Sequence, residues 1–250
     1  MWKVTWRNLA ARKLRLALSA FAIVLGVAFV AGSFIFTDAL TSAFNGIVKG
    51  TTADVEVHPK GADDFSAVQD TRVLSAGDVH DLQGLSQASQ VVGNVSMQNV
   101  WVIGSDGKLV GGNGPPGLAF NYNDMTSITG AQIITLSQGS EPHGPNQIAL
   151  DENTADKAGY SIGDEVTLVP PSGDLTIKVK LTGLVRFGSS GGLVGATLTI
   201  FDTAGIQERF FDGRDVYTGA QLTTDPGVSQ AQLTAAANAV LPSQFEAEEG

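Results

Sequence analysis

A chain of 250 residues, 43% of them hydrophobic, is long and apolar enough to bury a sizeable core and is not a disordered tail. It has no cysteine, which excludes disulfides, thiolate zinc sites and a cysteine nucleophile. The net charge of -10 is unevenly spread: the first 37 residues lack Asp and Glu but carry Lys3, Arg7, Arg12, Lys13 and Arg15, leaving 10 of the 15 basic residues against all 25 acidic ones beyond. So acidic a surface, with no basic stripe and interleaved aromatics, repels phosphate backbones and excludes nucleic-acid binding.

Residues 1–15 read as a cytoplasmic interfacial helix. Trp2 and Trp6 stand four apart beside Lys3 and Arg7, an aromatic stripe flanked by cations that suits the headgroup region; Arg12, Lys13 and Arg15 follow. Residues 16–37 then form an uncharged run of 22 residues. At ~1.5 Å per residue it spans ~33 Å, against a hydrocarbon core of ~30 Å. Twelve of the residues from Leu16 to Phe36 are Leu, Ile, Val or Phe, so insertion is favoured by several kcal/mol. Five basic residues before the span and Asp38 after it place the N-terminus in the cytoplasm and residues 38–250 outside it. The run exceeds the ~7–15 apolar residues of a cleaved signal peptide and lacks an evident small-residue cleavage site.

Residues 38–50 show helical spacing in Ala39, Leu40, Phe44, Ile47 and Val48, with Gly50 as terminator. Alternation predicts strands over 54–58 and within 91–103, and Ser75 with Asp78 predicts a capping box opening a helix to Gln83. Asp106-Gly107 marks a hairpin before Leu109 and Val110. Residues 111–147, rich in Gly, Pro, Asn and Ser, read as an irregular excursion or small subdomain.

Beyond it come a short strand over 148–150, a helix capped by Asp151 and running to Ala158, and the Gly163-Asp164 turn into a strand over 165–169. Leu175, Ile177, Val179 and Leu181 alternate with polar residues in a strand that pairs back onto 165–169. A strand over 196–201, a helix capped by Asp202, a strand over 217–222 and a helix opened by Ser229 with Gln232 complete the pattern. The fold class is α+β: one N-terminal transmembrane helix, then a domain with a mixed or antiparallel sheet.

Trp6-Arg7-Asn8-Leu9, followed by Lys13-Leu14-Arg15 and an apolar span, resembles the start of FtsX-like/MacB-like ABC transporter permeases. Ile148, Asn153, Ala155, Ala158, Gly159, Gly163-Asp164-Glu165-Val166-Thr167-Leu168, Ile177, Val179, Gly183 and Leu184 resemble their extracytoplasmic core domain. The resemblance implies a domain between the first two membrane helices of a permease that pairs with a cytoplasmic ABC ATPase subunit and works as a dimer of subunits or halves. It also implies that ATP is hydrolysed elsewhere, and that the domain couples helix motion to export of a substrate or to action on an extracytoplasmic partner. No second apolar run of 18 residues follows, so the chain reads as the N-terminal portion of such a permease.

No chemistry-bearing constellation competes with this. His58, His80 and His143 have separate neighbourhoods without zinc-ligand spacing, and Asp63-Asp64 and Asp78 with Asp81 lack the ligand pattern of a calcium loop. The glycine-rich stretches 111–114 and 188–192 lack a phosphate-loop lysine, and Ser189 and Ser190 lack nucleophile-elbow spacing. The expectation is a non-enzymatic protein with no catalytic, cofactor or metal site. Its notable residues are the membrane-interface set Trp2, Lys3, Trp6, Arg7, Arg12, Lys13 and Arg15 and the structural turn Gly163-Asp164. The alternative is a self-sufficient, single-pass anchored extracellular binding module.

Overall fold

The computed structural model describes residues 17–19, 21–34, 50–62, 70–111, 116–173, 175–188 and 196–250. The expected interfacial helix over 1–15, most of the stalk over 38–50, Asp63-Asp64, the glycine stretch 112–114 and the loop 189–192 lie outside the described residues. Gly50 and Thr51 are helical, so Gly50 does not end its helix as expected.

The chain divides into two units, residues 1–45 and 46–250. In the first, α1 (Ala17–Phe34) is long and apolar enough to cross a membrane, and Leu18, Phe21, Ile23, Val24, Leu25, Val27, Phe29, Val30 and Phe34 are all exposed. Apolar side chains around the whole circumference fit a lipid surrounding better than water.

The second unit holds two halves. The first is built from β1 (Val55–Pro59), α2 (Ala76–Gln83) and β3 (Ala88–Asn94), then, much later in the chain, β13 (Gly219–Thr224), α5 (Gln230–Val240) and β14 (Phe245–Glu249). Its sheet runs β14-β1-β13-β3 with every pair antiparallel, the βαββαβ order of a ferredoxin-like unit. Alternation sorts its faces. Val55, Val57, Ala220, Leu222, Phe245 and Ala247 pack under Val79 and Leu82 of α2 and Leu233 and Ala237 of α5. Glu56, His58, Gln221, Thr223, Glu246 and Glu248 fall on the other face.

Both helices begin as their sequences dictate. Ser75 and Ser229 accept from the backbone of Asp78 and Gln232, whose side chains bond back, so each N-terminus carries a reciprocal capping box. Asn238 of α5 closes the outer edge of β14: its amide accepts from Ala247 N–H at 3.0 Å and donates to Ala247 O at 2.9 Å. A side-chain amide thus stands where a neighbouring strand would bind, which blunts this edge.

The other half is inserted between β3 and β13. A curled sheet runs β4 (Ser96–Gln98), β6 (Gly117–Asn121), β11 (Thr197–Phe201), β8 (Gln147–Asp151), β10 (Ile177–Phe187), β9 (Glu165–Val169) and β5 (Trp101–Ile103), with β7 (Ile134–Gly139) beside the second half of β10. Pairs β6/β11 and β8/β10 are parallel and the rest antiparallel, so the sheet is mixed. Its end strands β4 and β5 are separated by only Asn99 and Val100, and Val100 N–H donates to Gly117 O at 3.2 Å, drawing the ends together. One face packs Val100, Val102, Ile148, Leu150, Val166, Leu168, Val179, Leu181 and Phe201 with Ala155 and Ala158 of α3 (Glu152–Ala158) and Ile206 of α4 (Thr203–Phe210). The other packs Leu118, Ala149, Leu198 and Ile200 with Met125, Ile133 and Phe187.

The excursion 111–147 supplies two strands that its composition hides, β6 and β7. A two-stranded pairing of β2 (Leu74–Ser75) with β12 (Val216–Tyr217) joins the halves. The expected stretch 91–103 splits into β3, β4 and β5, which serve different sheets.

Candidate functional site

The first and last strands of the second unit lie side by side. β1 and β14 pair from Val55 opposite Glu249 to Pro59 opposite Phe245, and Gly250 N–H donates to Asp54 O at 3.0 Å. Asp54 ties this region to the next strand, accepting from Thr224 N–H and Thr224 Oγ1, each at 2.8 Å. At the opposite end of β1, Arg72 donates to Lys60 O (3.2 Å) and Gln244 O (3.1 Å) while paired with Asp70 at 2.6 Å, which holds the Asp70 carboxyl below its ordinary range.

Asp151 is the most buried carboxylate among the described residues, at 1% exposure. It ends β8 and caps α3, accepting from Thr154 N–H at 3.1 Å, from the Thr154 hydroxyl, and from Leu198 N–H of β11 at 3.1 Å. Burial raises its pKa, against the lowering effect of these bonds. The sequence marks Asp151 as a helix cap; the bond to β11 depends on strand order and has no local signal.

The Gly163-Asp164 pair sits where α3 hands over to β9. Gly163 has φ +103°, a conformation that favours glycine, and Asp164 Oδ2 accepts from Ser161 N–H at 2.8 Å. Gly163 N–H donates to Leu181 O and Leu181 N–H to Asp164 O, so the turn is stitched to β10. These bonds are backbone bonds, and the turn presents no reactive group. The residues expected at the membrane interface, Trp2, Lys3, Trp6, Arg7, Arg12, Lys13 and Arg15, lie outside the described residues.

The three histidines stay apart. His58 lies on β1 with Nε2 3.5 Å from a Glu248 carboxylate oxygen, whereas His80 and His143 are exposed on α2 and before β8. No group of three His, Cys, Asp or Glu side chains among the described residues is placed to hold a metal.

Residues 16–240 match the family model of the MacB-like periplasmic core domain. The periplasmic region of MacB from Actinobacillus actinomycetemcomitans superposes with a TM-score of 0.53 at 13% identity, covering 81% of this chain and 91% of that one. The extracellular domain of the noncanonic ABC-type transporter YknZ from Gram-positive bacteria gives 0.50 at 12% identity, covering 78% of this chain and 99% of that one. No curated protein sequence matches the chain. With its apolar N-terminal helix and a MacB-like domain over most of its length, the chain belongs to the MacB/FtsX-like permease family.

Proposed function

We propose that this chain is the membrane-anchored, extracytoplasmic part of an ABC transporter permease subunit. Residues 1–15 lie on the cytoplasmic face, 16–37 cross the membrane, and 38–250 stand outside. A cytoplasmic ABC ATPase drives the membrane helices of two permease subunits or halves, and the domain carries that motion to a substrate being exported or to an extracytoplasmic partner. The family match over residues 16–240 carries the reading. Two features support it: the bias of basic residues to the N-terminal side of the span, and the pairing of β1 with β14. That pairing brings the two ends of the domain to one place, as insertion between consecutive membrane helices requires.

The absence of native cysteine makes the topology directly measurable. Single Ala11→Cys and Ser172→Cys variants in intact cells should differ: an impermeant maleimide reaches Cys at 172 and not at 11. Affinity purification of the intact permease from its own membranes should bring down an ATPase of the ABC type. Labelling at 11 from outside refutes the orientation. Correct topology with no ATPase in the purified material favours the single-pass binding module instead.

A further inference from the structure

The chain passes between the two halves of the domain twice, at Asn94-Val95-Ser96 and at Tyr217-Thr218-Gly219, and the crossings run side by side. A double crossing is where a two-part domain would bend, because few residues need to change conformation there. In this protein the crossings are filled with buried hydrogen bonds. Thr218 N–H donates to Asn94 O at 2.9 Å and its hydroxyl donates to the same oxygen at 3.2 Å. Ser96 N–H donates to Thr218 Oγ1 at 2.9 Å, with the two hydroxyl oxygens 3.1 Å apart.

Asn121, at the end of β6 and 1% exposed, completes the arrangement. Its Oδ1 accepts from Val95 N–H at 2.8 Å, and its Nδ2 donates to Gly93 O at 3.0 Å and Thr203 Oγ1 at 3.1 Å. Its own N–H donates to Val95 O at 3.1 Å. Both backbone groups of Val95, the residue between the two sheets, are therefore bonded to one asparagine of the inserted half. Tyr217 packs against the apolar cores of both halves, its ring over Gly93 so closely that a Cβ there would collide with Cδ1.

Two further ties join the halves. β12 of the insert pairs with β2, which leads into α2. The segment after β6 lies on the helix-free face of the ferredoxin-like sheet, where Gln90 Nε2 donates to Asp124 Oδ1 at 3.0 Å, Thr223 Oγ1 to Met125 Sδ at 3.4 Å, and Ile128 N–H to Thr52 O at 2.9 Å. A bend about the crossings would have to break these as well.

We propose that this joint is a lock and not a hinge: Asn121, Ser96, Thr218 and Tyr217 make the ferredoxin-like half and the inserted half one rigid lever. A displacement of one half then reaches the other undiminished. The lock is independent of which machine moves the lever, so its test and the ATPase test fail separately.

The experiment uses the full chain in lipid nanodiscs with nitroxide labels at Ser86→Cys, just after α2, and Ser172→Cys, in the turn between β9 and β10; both positions are exposed. Pulsed dipolar spectroscopy should give one narrow distance distribution. Asn121→Ala combined with Thr218→Val should broaden it, and amide exchange at Val95 and Thr218 should accelerate by roughly tenfold or more. Thr218→Ser, which keeps the hydroxyl, should leave the distribution unchanged. A broad or two-peaked distribution in the parent chain overturns the proposal, as does a folded double variant with parental width and exchange. If the double variant does not fold, by circular dichroism, the parental distribution decides alone.

Discussion

Asp151→Ala would remove three bonds at one buried point. The loss of a helix N-cap costs about 1 kcal/mol. Leu198 N–H would lose its nearer acceptor, keeping only Thr154 Oγ1 at 3.3 Å, and a buried donor so weakened costs about 1–3 kcal/mol. The expected destabilisation is therefore about 3 kcal/mol. For a domain of this size each kcal/mol moves Tm by about 2–4 °C, so the fall is about 6–12 °C. Asp151→Asn keeps the shape but turns one acceptor oxygen into a donor, and should cost about 2 kcal/mol. Thermal unfolding of the full chain in detergent, followed by near-ultraviolet circular dichroism, reads both.

The same comparison carries a pH signature. Burial raises the pKa of Asp151 above its ordinary 3.8, so the folded state binds this proton more tightly than the unfolded state does. Its contribution is therefore favourable at low pH and is lost as pH rises through the folded pKa. The advantage of the parent over Asp151→Asn should grow as pH falls from the folded value towards 3.8. An Asp151→Ala variant that melts within about 2 °C of the parent would refute the reasoning, because the bond network would then contribute less than one N-cap.

Gly163→Ala meets no atom within 4 Å, so its cost is conformational alone, about 1–2 kcal/mol at φ +103°, and should appear in chemical denaturation with an unchanged m-value. Asn238→Ala should cost about 1–2 kcal/mol and also free the edge of β14 for pairing between molecules, read as a rise in light scattering during storage. Leu181→Ala, at a fully buried site of β10, should cost about 2–5 kcal/mol and lower the denaturation midpoint accordingly.

The sequence by itself determined the features that neighbouring residues decide. The Ser75–Asp78 and Ser229–Gln232 boxes, the caps at Asp151 and Asp202 and the hairpin of β9 with β10 are legible because side chains three residues apart, or a single turn, set them. The apolar run within 16–37 is equally local, since insertion depends on summed transfer energy and length. Only the tertiary structure decided the rest. Phe245–Glu249, with three Glu among five residues, lies beyond the last element predicted from the sequence and becomes a strand because β1 offers it an edge and Asn238 closes the other side. β6 and β7 emerge from a stretch of weak periodicity because β11 and β10 supply partners already in place. The ferredoxin-like half is split by the whole inserted sheet, so its strand order depends on β1 meeting β13, a pairing no local pattern encodes. Asn121 looks like any loop asparagine in the sequence; its position between two sheets comes from register, and register is a property of the assembled fold.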